Sequence, residues 1–254
     1  MSGAGPLDLE GRAVLVTGAS SGIGRETAIL LSSLNARLVL AGRDRERLDA
    51  TLASLAGSGH RAEQFDLAAL DEIGPWLKQL CAETGPLHGL VHCAGVHGVA
   101  PLQAQTVKRL EEILRINVSS AVLLAKGFRQ RGCCAQDSSI VFMSSAAGLA
   151  GAPATSAYSA SKAAVCGLTR SLAVELARER IRVNCIAAGF VLTEMTAPIR
   201  QALSEDQFRA IEQMHPLGLG SARDVANSIA FLIADTGRWI TGSTLVVDGG
   251  YTAH

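Results

Sequence analysis

A phenol and an amine one helical turn apart, Tyr158 and Lys162, stand downstream of Ser145, with thirteen residues from the serine to the phenol. A spacing of four puts both side chains on one helix face. Tyrosine ordinarily titrates near pH ~10, too high for efficient proton exchange at neutral pH. A neighbouring ammonium favours phenolate and is expected to lower that value, as would an oxidised nicotinamide ring. Ser145 can donate a hydrogen bond to a substrate oxygen. Far upstream runs Thr17-Gly18-Ala19-Ser20-Ser21-Gly22-Ile23-Gly24. Glycines at 18, 22 and 24 permit a tight turn and close backbone approach to phosphates, and the helix that follows offers unpaired N–H groups to the anion. The spacing is G-x-x-x-G-x-G rather than the commoner G-x-G-x-x-G. Neither pattern alone specifies a chemistry. Together they describe a dinucleotide that delivers hydride to a carbonyl while a tyrosine supplies the proton.

These groups need a scaffold, and the chain spells one out by alternation. Short apolar runs at 12–17 and 37–41 suit buried strands, and strand-like segments follow near 60–65, 87–92, 139–144, 181–186 and 244–247. Helical stretches near 26–34, 44–55, 70–83, 107–131, 158–178 and 224–234 separate them. The expected fold class is therefore α/β, a Rossmann-like doubly wound fold whose seven-stranded parallel sheet carries helices on both faces. No Pro/Ser-rich linker or composition break divides residues 1–254, which read as a single nucleotide-binding catalytic domain. The chief insertion spans about 190–220 and carries Met195, Ile199, Leu203, Phe208, Ile211 and Met214. It fits an amphipathic helix pair packed on the body, a substrate lid, or both at once.

The end of the second strand bears on cofactor type. An acidic residue there binds the ribose 2′-hydroxyl of NAD, whereas a basic one accommodates the phosphate of NADP. The strand ends Leu40-Ala41-Gly42-Arg43, with no carboxylate at 42. Arg43 also opens a charge run through Arg47 that suits a solvated helix start. The missing acid is the stronger indication, and it points to NADP (NADPH).

Charges balance, with 23 basic and 23 acidic residues, so no broad field favours nucleic acid or an anionic membrane surface. Six cysteines lack zinc-ligand spacing, so no metal is expected, and free thiols in a reducing cytoplasm are the simplest account. Residues 1–11 show no secretory signal, and the longest uncharged stretch, 138–161, contains Pro153 and many Ser, Gly and Ala residues. It reads as strand plus loop, not as a membrane helix. A cytoplasmic location follows as an expectation.

With these residues in hand, the chain resembles the short-chain dehydrogenase/reductase family in its single-domain branch. The likeness runs through Thr17-Gly18-x-x-x-Gly22-x-Gly24, Asp66, Ala94-Gly95, Asn117, Ser145, Tyr158-x-x-x-Lys162, Asn184 and Thr193. The ending, residues 240–250, is similar to that of 3-oxoacyl-carrier-protein reductases. The resemblance implies a catalytic set of Asn117, Ser145, Tyr158 and Lys162. Tyr158 exchanges the proton, Lys162 binds the nicotinamide ribose, Ser145 orients the carbonyl, and Asn117 positions a relay water. It implies cofactor contacts from Gly18, Ser20, Ser21, Gly22, Ile23, Gly24, Arg43, Asp66, Leu67, Ala94, Gly95, Tyr158, Lys162, Gly189, Val191 and Thr193, with Asp66 at the adenine and Thr193 at the carboxamide. A homotetramer is implied as well, with 127–131, the Tyr158 helix and 239–251 near its contacts.

Two departures stand out. The family commonly reads Asn-Asn-Ala-Gly where this chain has His92-Cys93-Ala94-Gly95. His92 suits a sheet-end residue, since Tyr158 fills the acid/base role, and Cys93 replaces an asparagine that supports the sheet centre. Ala188 replaces a proline before Gly189, which is expected to loosen the loop into 190–220. The expected activity is NADPH-dependent reduction of a ketone carbonyl, in a 3-oxoacyl thioester or another small-molecule carbonyl compound. Lys108, Arg109, Arg115, Lys126, Arg129 and Arg131 fit a solvated face better than a docking patch for an acidic carrier. The rivals are an NAD-dependent alcohol dehydrogenase and a non-catalytic nucleotide sensor, the latter opposed by the intact set of four.

Overall fold

The computed structural model describes residues 5–253. In chain order the regular elements are β1 (Ala13–Thr17), α1 (Gly22–Ser33), β2 (Arg37–Gly42), α2 (Arg45–Leu52), β3 (Arg61–Gln64), α3 (Ile73–Thr84), β4 (Leu87–His92), α4 (Val107–Leu114) and α5 (Ser120–Phe128). There follow β5 (Cys134–Ser145), α6 (Ser156–Leu176), β6 (Arg182–Ala188), β7 (Val191–Leu192), α7 (Ala197–Ala202), α8 (Glu205–Gln213), β8 (Gly220–Ser221), α9 (Ala222–Ile233) and β9 (Thr244–Val247). Seven strands form one parallel sheet in the order β3-β2-β1-β4-β5-β6-β9. The strand order reverses between β1 and β4, and a crevice opens above the carboxyl ends there, where such sheets bind ligands.

Alternation along each strand divides the core in two. Ala13, Leu15, Val39, Ala41, Ile140 and Phe142 face the layer of α3, α5 and α6. Their neighbours Val14, Val16, Leu38, Leu40, Val141 and Met143 face the layer of α1 and α9. Strands buried on both faces must be apolar throughout, which is why they appear as unbroken runs in the sequence. Gly89 lets α9 approach, because a Cβ there would sit 3.2 Å from Ile233 Cδ1 and from Val14. All six cysteines are free thiols.

Three elements differ from the sequence expectation. β5 starts at Cys134 instead of near 139, since an irregularity between Leu87 and Gly89 lets Leu87 pair with Cys134. The single helix expected over 107–131 is interrupted by a π-helical turn, Arg115–Ser119, and ends at Phe128. The insertion does contain a helix pair, α7 and α8, the latter closed by a capping box of Ser204 and Gln207. Its base is fastened by a two-stranded parallel sheet, Val191↔Gly220 and Leu192↔Ser221, too short to show in sequence.

Candidate active site

The glycine turn between β1 and α1 is sterically obligatory. A Cβ on Gly18, whose φ is +67°, would lie 2.7 Å from the Ala94 backbone nitrogen. One on Gly24 would lie 2.3 Å from the Gly18 carbonyl oxygen. Such distances leave no room for any side chain, so the turn lies flat against the end of β4 and leaves space above it. That space is a cleft of about 1280 Å³ lined by Ser20, Ser21, Gly22, Ile23, Arg43, Asp66, Leu67, Ala94, Gly95 and Thr193, among others. Its size and glycine floor fit an extended dinucleotide.

At the far end of this cleft Arg43 is exposed and has no ion-pair partner among the described residues. Asp44, the nearest carboxylate in sequence, is spent on capping α2: it accepts from the Arg47 N–H at 3.0 Å and pairs with the Arg47 guanidinium at 3.5 Å. Asp66 accepts from the Ala68 N–H at 3.0 Å, fixing the turn after β3, and Phe65 beside it stacks on Trp76 with ring centres 4.2 Å apart.

The cleft continues into a second cavity of about 310 Å³, which Ser145, Tyr158, Lys162, Gly189 and Val191 line. Ile23, Gly95, His97, Thr193 and Met195 line both spaces, so they meet at this edge. Ser145 terminates β5, its hydroxyl accepting from the Ala147 N–H at 3.2 Å and donating to the Ala188 carbonyl at 3.4 Å. Lys162 is buried; its ammonium donates to the Met143 carbonyl at 2.9 Å and lies 5.7 Å from the centre of the Tyr158 ring. Gly148 permits α6 to come this close, as a Cβ there would be 2.8 Å from the Ala163 nitrogen.

Burial, and not the neighbouring Lys162, has the largest effect on the Tyr158 pKa. Burial raises the phenol above its ordinary value, opposed by the facing hydroxyl of Ser145. The same burial pushes Lys162 down to about 8. The phenol is thus held in its proton-bearing form.

Asn117 sits in the π-helical turn, so it is a helix-kink residue as well as a site residue. Its Oδ1 accepts from the Val96 N–H at 2.9 Å, and its Nδ2 donates to the Val96 carbonyl and to Ser161 Oγ, both at 3.0 Å. Both amide hydrogens are therefore committed to holding the loop after β4 against α6. Gly95 makes room for this, since a Cβ there would be 3.2 Å from Asn117 Oδ1. Asn184, part of the matched pattern, binds β6 to the final strand through Ile240 and Ser243.

The two departures have structural answers. His92 is buried and bonded on both ring nitrogens, to Thr17 Oγ1 at 2.8 Å and Ser120 Oγ at 3.2 Å. Ser120 donates to the Ile116 carbonyl at 2.6 Å, so its oxygen accepts from His92 Nε2–H, and Thr17 donates to Nδ1. Burial, aided by the Lys162 charge, pushes this imidazole down to about 3. It is a neutral strut joining β1 to the start of α5, just after the π-helical turn. Cys93 does less: Thr27 Oγ1, which the thiol faces, is buried without a hydrogen-bond partner. Around Ala188-Gly189 the backbone is fastened at three points. The Gly189 N–H donates to the Val247 carbonyl at 3.0 Å, the Phe190 N–H to His215 Nε2 at 3.2 Å, and the Gly220 N–H to the Phe190 carbonyl at 3.1 Å.

Sequence reasoning missed three contacts in this region. Glu194 accepts from the Gly22 N–H at 2.9 Å and pairs with Arg25 at 2.9 Å, tying the insertion to the glycine turn. His215 stacks on Tyr251, with ring centres 5.0 Å apart, while its Nδ1 donates to the Ile211 carbonyl at 2.8 Å. His97 lies against Tyr158. None has a local spacing signal, because each joins segments distant in the chain.

Known proteins resemble this chain over nearly its whole length. A family profile described as enoyl-(acyl carrier protein) reductase matches residues 18–252. The chain is 37% identical to a cis-4-hydroxycyclohexanecarboxylate dehydrogenase of Sinomonas cyclohexanicum, over 95% of this chain and 97% of that one. It is 34% identical to a 3-oxoacyl-[acyl-carrier-protein] reductase of Escherichia coli, over 96% and 98% respectively. Among solved structures, one described as an NAD(P)-dependent gluconate 5-dehydrogenase of Beutenbergia cavernae, with NADP bound at low occupancy, superposes with a TM-score of 0.89 at 33% identity. That match covers 98% of this chain and 100% of the other. No helix among the described residues is long and apolar enough to cross a membrane. By sheet topology, motif order and full-length similarity, the chain belongs to the short-chain dehydrogenase/reductase family of nicotinamide-dependent oxidoreductases.

Proposed function

We propose that the protein is an NADPH-dependent carbonyl reductase, one catalytic domain that converts a ketone to an alcohol. One observation carries the reading: Tyr158, Ser145 and Lys162 line a cavity that joins the glycine-floored cleft edge to edge. When bound, reduced nicotinamide supplies the hydride. The protein's own part is proton chemistry and orientation. Ser145, freed from its weak 3.4 Å contact with Ala188, donates to the carbonyl oxygen. Tyr158, kept protonated by burial, gives its proton to that oxygen as negative charge develops there. Lys162 provides a positive charge beneath the phenol and a donor for the ribose, and Asn117 holds the loop that closes this wall. Arg43, unpaired by any described carboxylate, would meet the 2′-phosphate of NADP, with Asp66 at the adenine, Thr193 at the carboxamide, and Gly189 and Val191 beside the nicotinamide.

The run of the site in reverse, oxidation of a secondary alcohol with Tyr158 as base, is favoured by one comparison, the relative named for dehydrogenating a hydroxycyclohexane. We further propose a homotetramer in a reducing cytoplasm, acting on small-molecule carbonyls or acyl thioesters. The test is NADPH oxidation, followed by absorbance, across 3-oxoacyl thioesters, simple ketones and keto-sugars, repeated with NADH. Turnover of at least one class with preference for NADPH is expected; bound NADPH with no turnover of any carbonyl would contradict the proposal.

A further inference from the structure

His97 is set apart from the other described histidines. His60, His92 and His215 use both ring nitrogens, and His88 Nδ1 accepts from the Ala13 N–H at 3.1 Å. Neither nitrogen of His97 has a hydrogen-bond partner among the described residues. Its ring lies 4.5 Å from that of Tyr158, tilted by 56°, on the wall of the smaller cavity. Much of the surrounding wall is apolar, with Phe190, Met195, Ile199 and Met214, while Thr193 and Thr196 are among its polar lining. No Asp, Glu or Arg lines this cavity, and its one cation, Lys162, is engaged with Met143.

Both ring nitrogens are thus uncommitted to the described residues and free to bond a polar group on a ligand that enters this largely apolar space. We infer that His97 is a specificity-determining contact, hydrogen bonding an uncharged hydroxyl or carbonyl oxygen that the substrate carries next to its reacting carbonyl. The inference rests on the carbonyl-reductase reading and narrows it to neutral hydroxyketones and dicarbonyls with an apolar remainder. Burial and the Lys162 charge both lower the His97 pKa, so the ring acts as a neutral donor or acceptor rather than as a counter-ion for a carboxylate. A site built to bond a polar group discriminates against an analogue that lacks it.

The experiment compares two shape-matched pairs, 2-hydroxycyclohexanone with 2-methylcyclohexanone and 3-hydroxybutan-2-one with 3-methylbutan-2-one, at saturating NADPH. Wild type should prefer the hydroxyketone of at least one pair. His97→Phe should lower kcat/KM for that hydroxyketone by about tenfold, the loss of one ordinary hydrogen bond, and leave its methyl analogue within about twofold. His97→Gln, which retains a donor and an acceptor, should recover part of the loss. Equal losses on both members, no loss on either, or no wild-type preference in either pair would overturn the inference while the proposed function stood. Failure to reduce any carbonyl compound, including the thioesters and keto-sugars, would overturn both.

Discussion

Arg43 is the side chain on which the proposed NADPH preference rests. Gly42 leaves no acid at the end of β2, and the carboxylate of Asp44 is turned to the α2 N-terminus by its bonds to Arg47. A phosphate at the ribose would therefore meet a guanidinium uncommitted to any described carboxylate. Arg43→Ala should raise the NADPH Kd by about tenfold, the worth of one solvent-accessible charge-assisted bond, while NADH binding stays nearly unchanged. Equal effects on both nucleotides in a fluorescence titration would contradict the assignment. Much of the site was legible because it is carried by local spacing: Tyr158 with Lys162, and Gly18 with Gly22 and Gly24. His97, Glu194 and His215 were illegible, since their partners come from other segments. Sequence shows the lysine one turn from the phenol but not the burial that raises the phenol's pKa.

At the scale of elements, the join between β1, β4 and the start of α5 depends on a neutral histidine. His92 stays unprotonated in the fold down to about pH 3, whereas in the unfolded chain it takes up a proton near its ordinary pH of ~6.5. Between those values the unfolded state binds the extra proton, so this residue makes stability rise with pH and fall on acidification. The loss approaches about 1.4 kcal/mol per pH unit once pH lies well below ~6.5. His92→Gln should be less stable at pH 7, because a planar amide cannot replace both bonds of the ring. Its denaturation midpoint should nonetheless decline less between pH 7 and pH 5 than that of wild type. Parallel declines would show that His92 is not the group responsible. The strands themselves were readable as apolar runs bounded by turn residues. The π-helical break in 107–131 was not, because it is set by tertiary bonds from Asn117 to Val96 and Ser161 and from Ser120 to His92.

For the molecule as a whole, the surface carries apolar side chains that the single chain leaves uncovered. Trp239 is 94% exposed and Val174, on the Tyr158 helix, is 80% exposed. Val246 on β9 and Phe231 on α9 are also exposed. Exposed apolar side chains gathered into a patch mark association surfaces, and Trp239, Val246 and Val174 fall on two of the regions named for the proposed tetramer contacts. Sedimentation should give a mass about four times that of the 26.4 kDa chain. Trp239→Arg should shift it to smaller species without loss of helical circular dichroism. A wild-type monomer would remove the proposed assembly. The parallel sheet and its crevice were legible from alternation alone, whereas the small β7–β8 sheet that fastens the insertion was not, each strand being only two residues long.

The central claim is that the phenol of Tyr158 supplies the proton. Tyr158→Phe removes one oxygen and preserves the ring that packs against His97. With the best ketone of the panel, this variant should lose at least about a thousandfold in kcat, within the range of general acid catalysis, while its NADPH Kd stays within about threefold of wild type. A variant that retained a tenth or more of wild-type turnover would contradict the account.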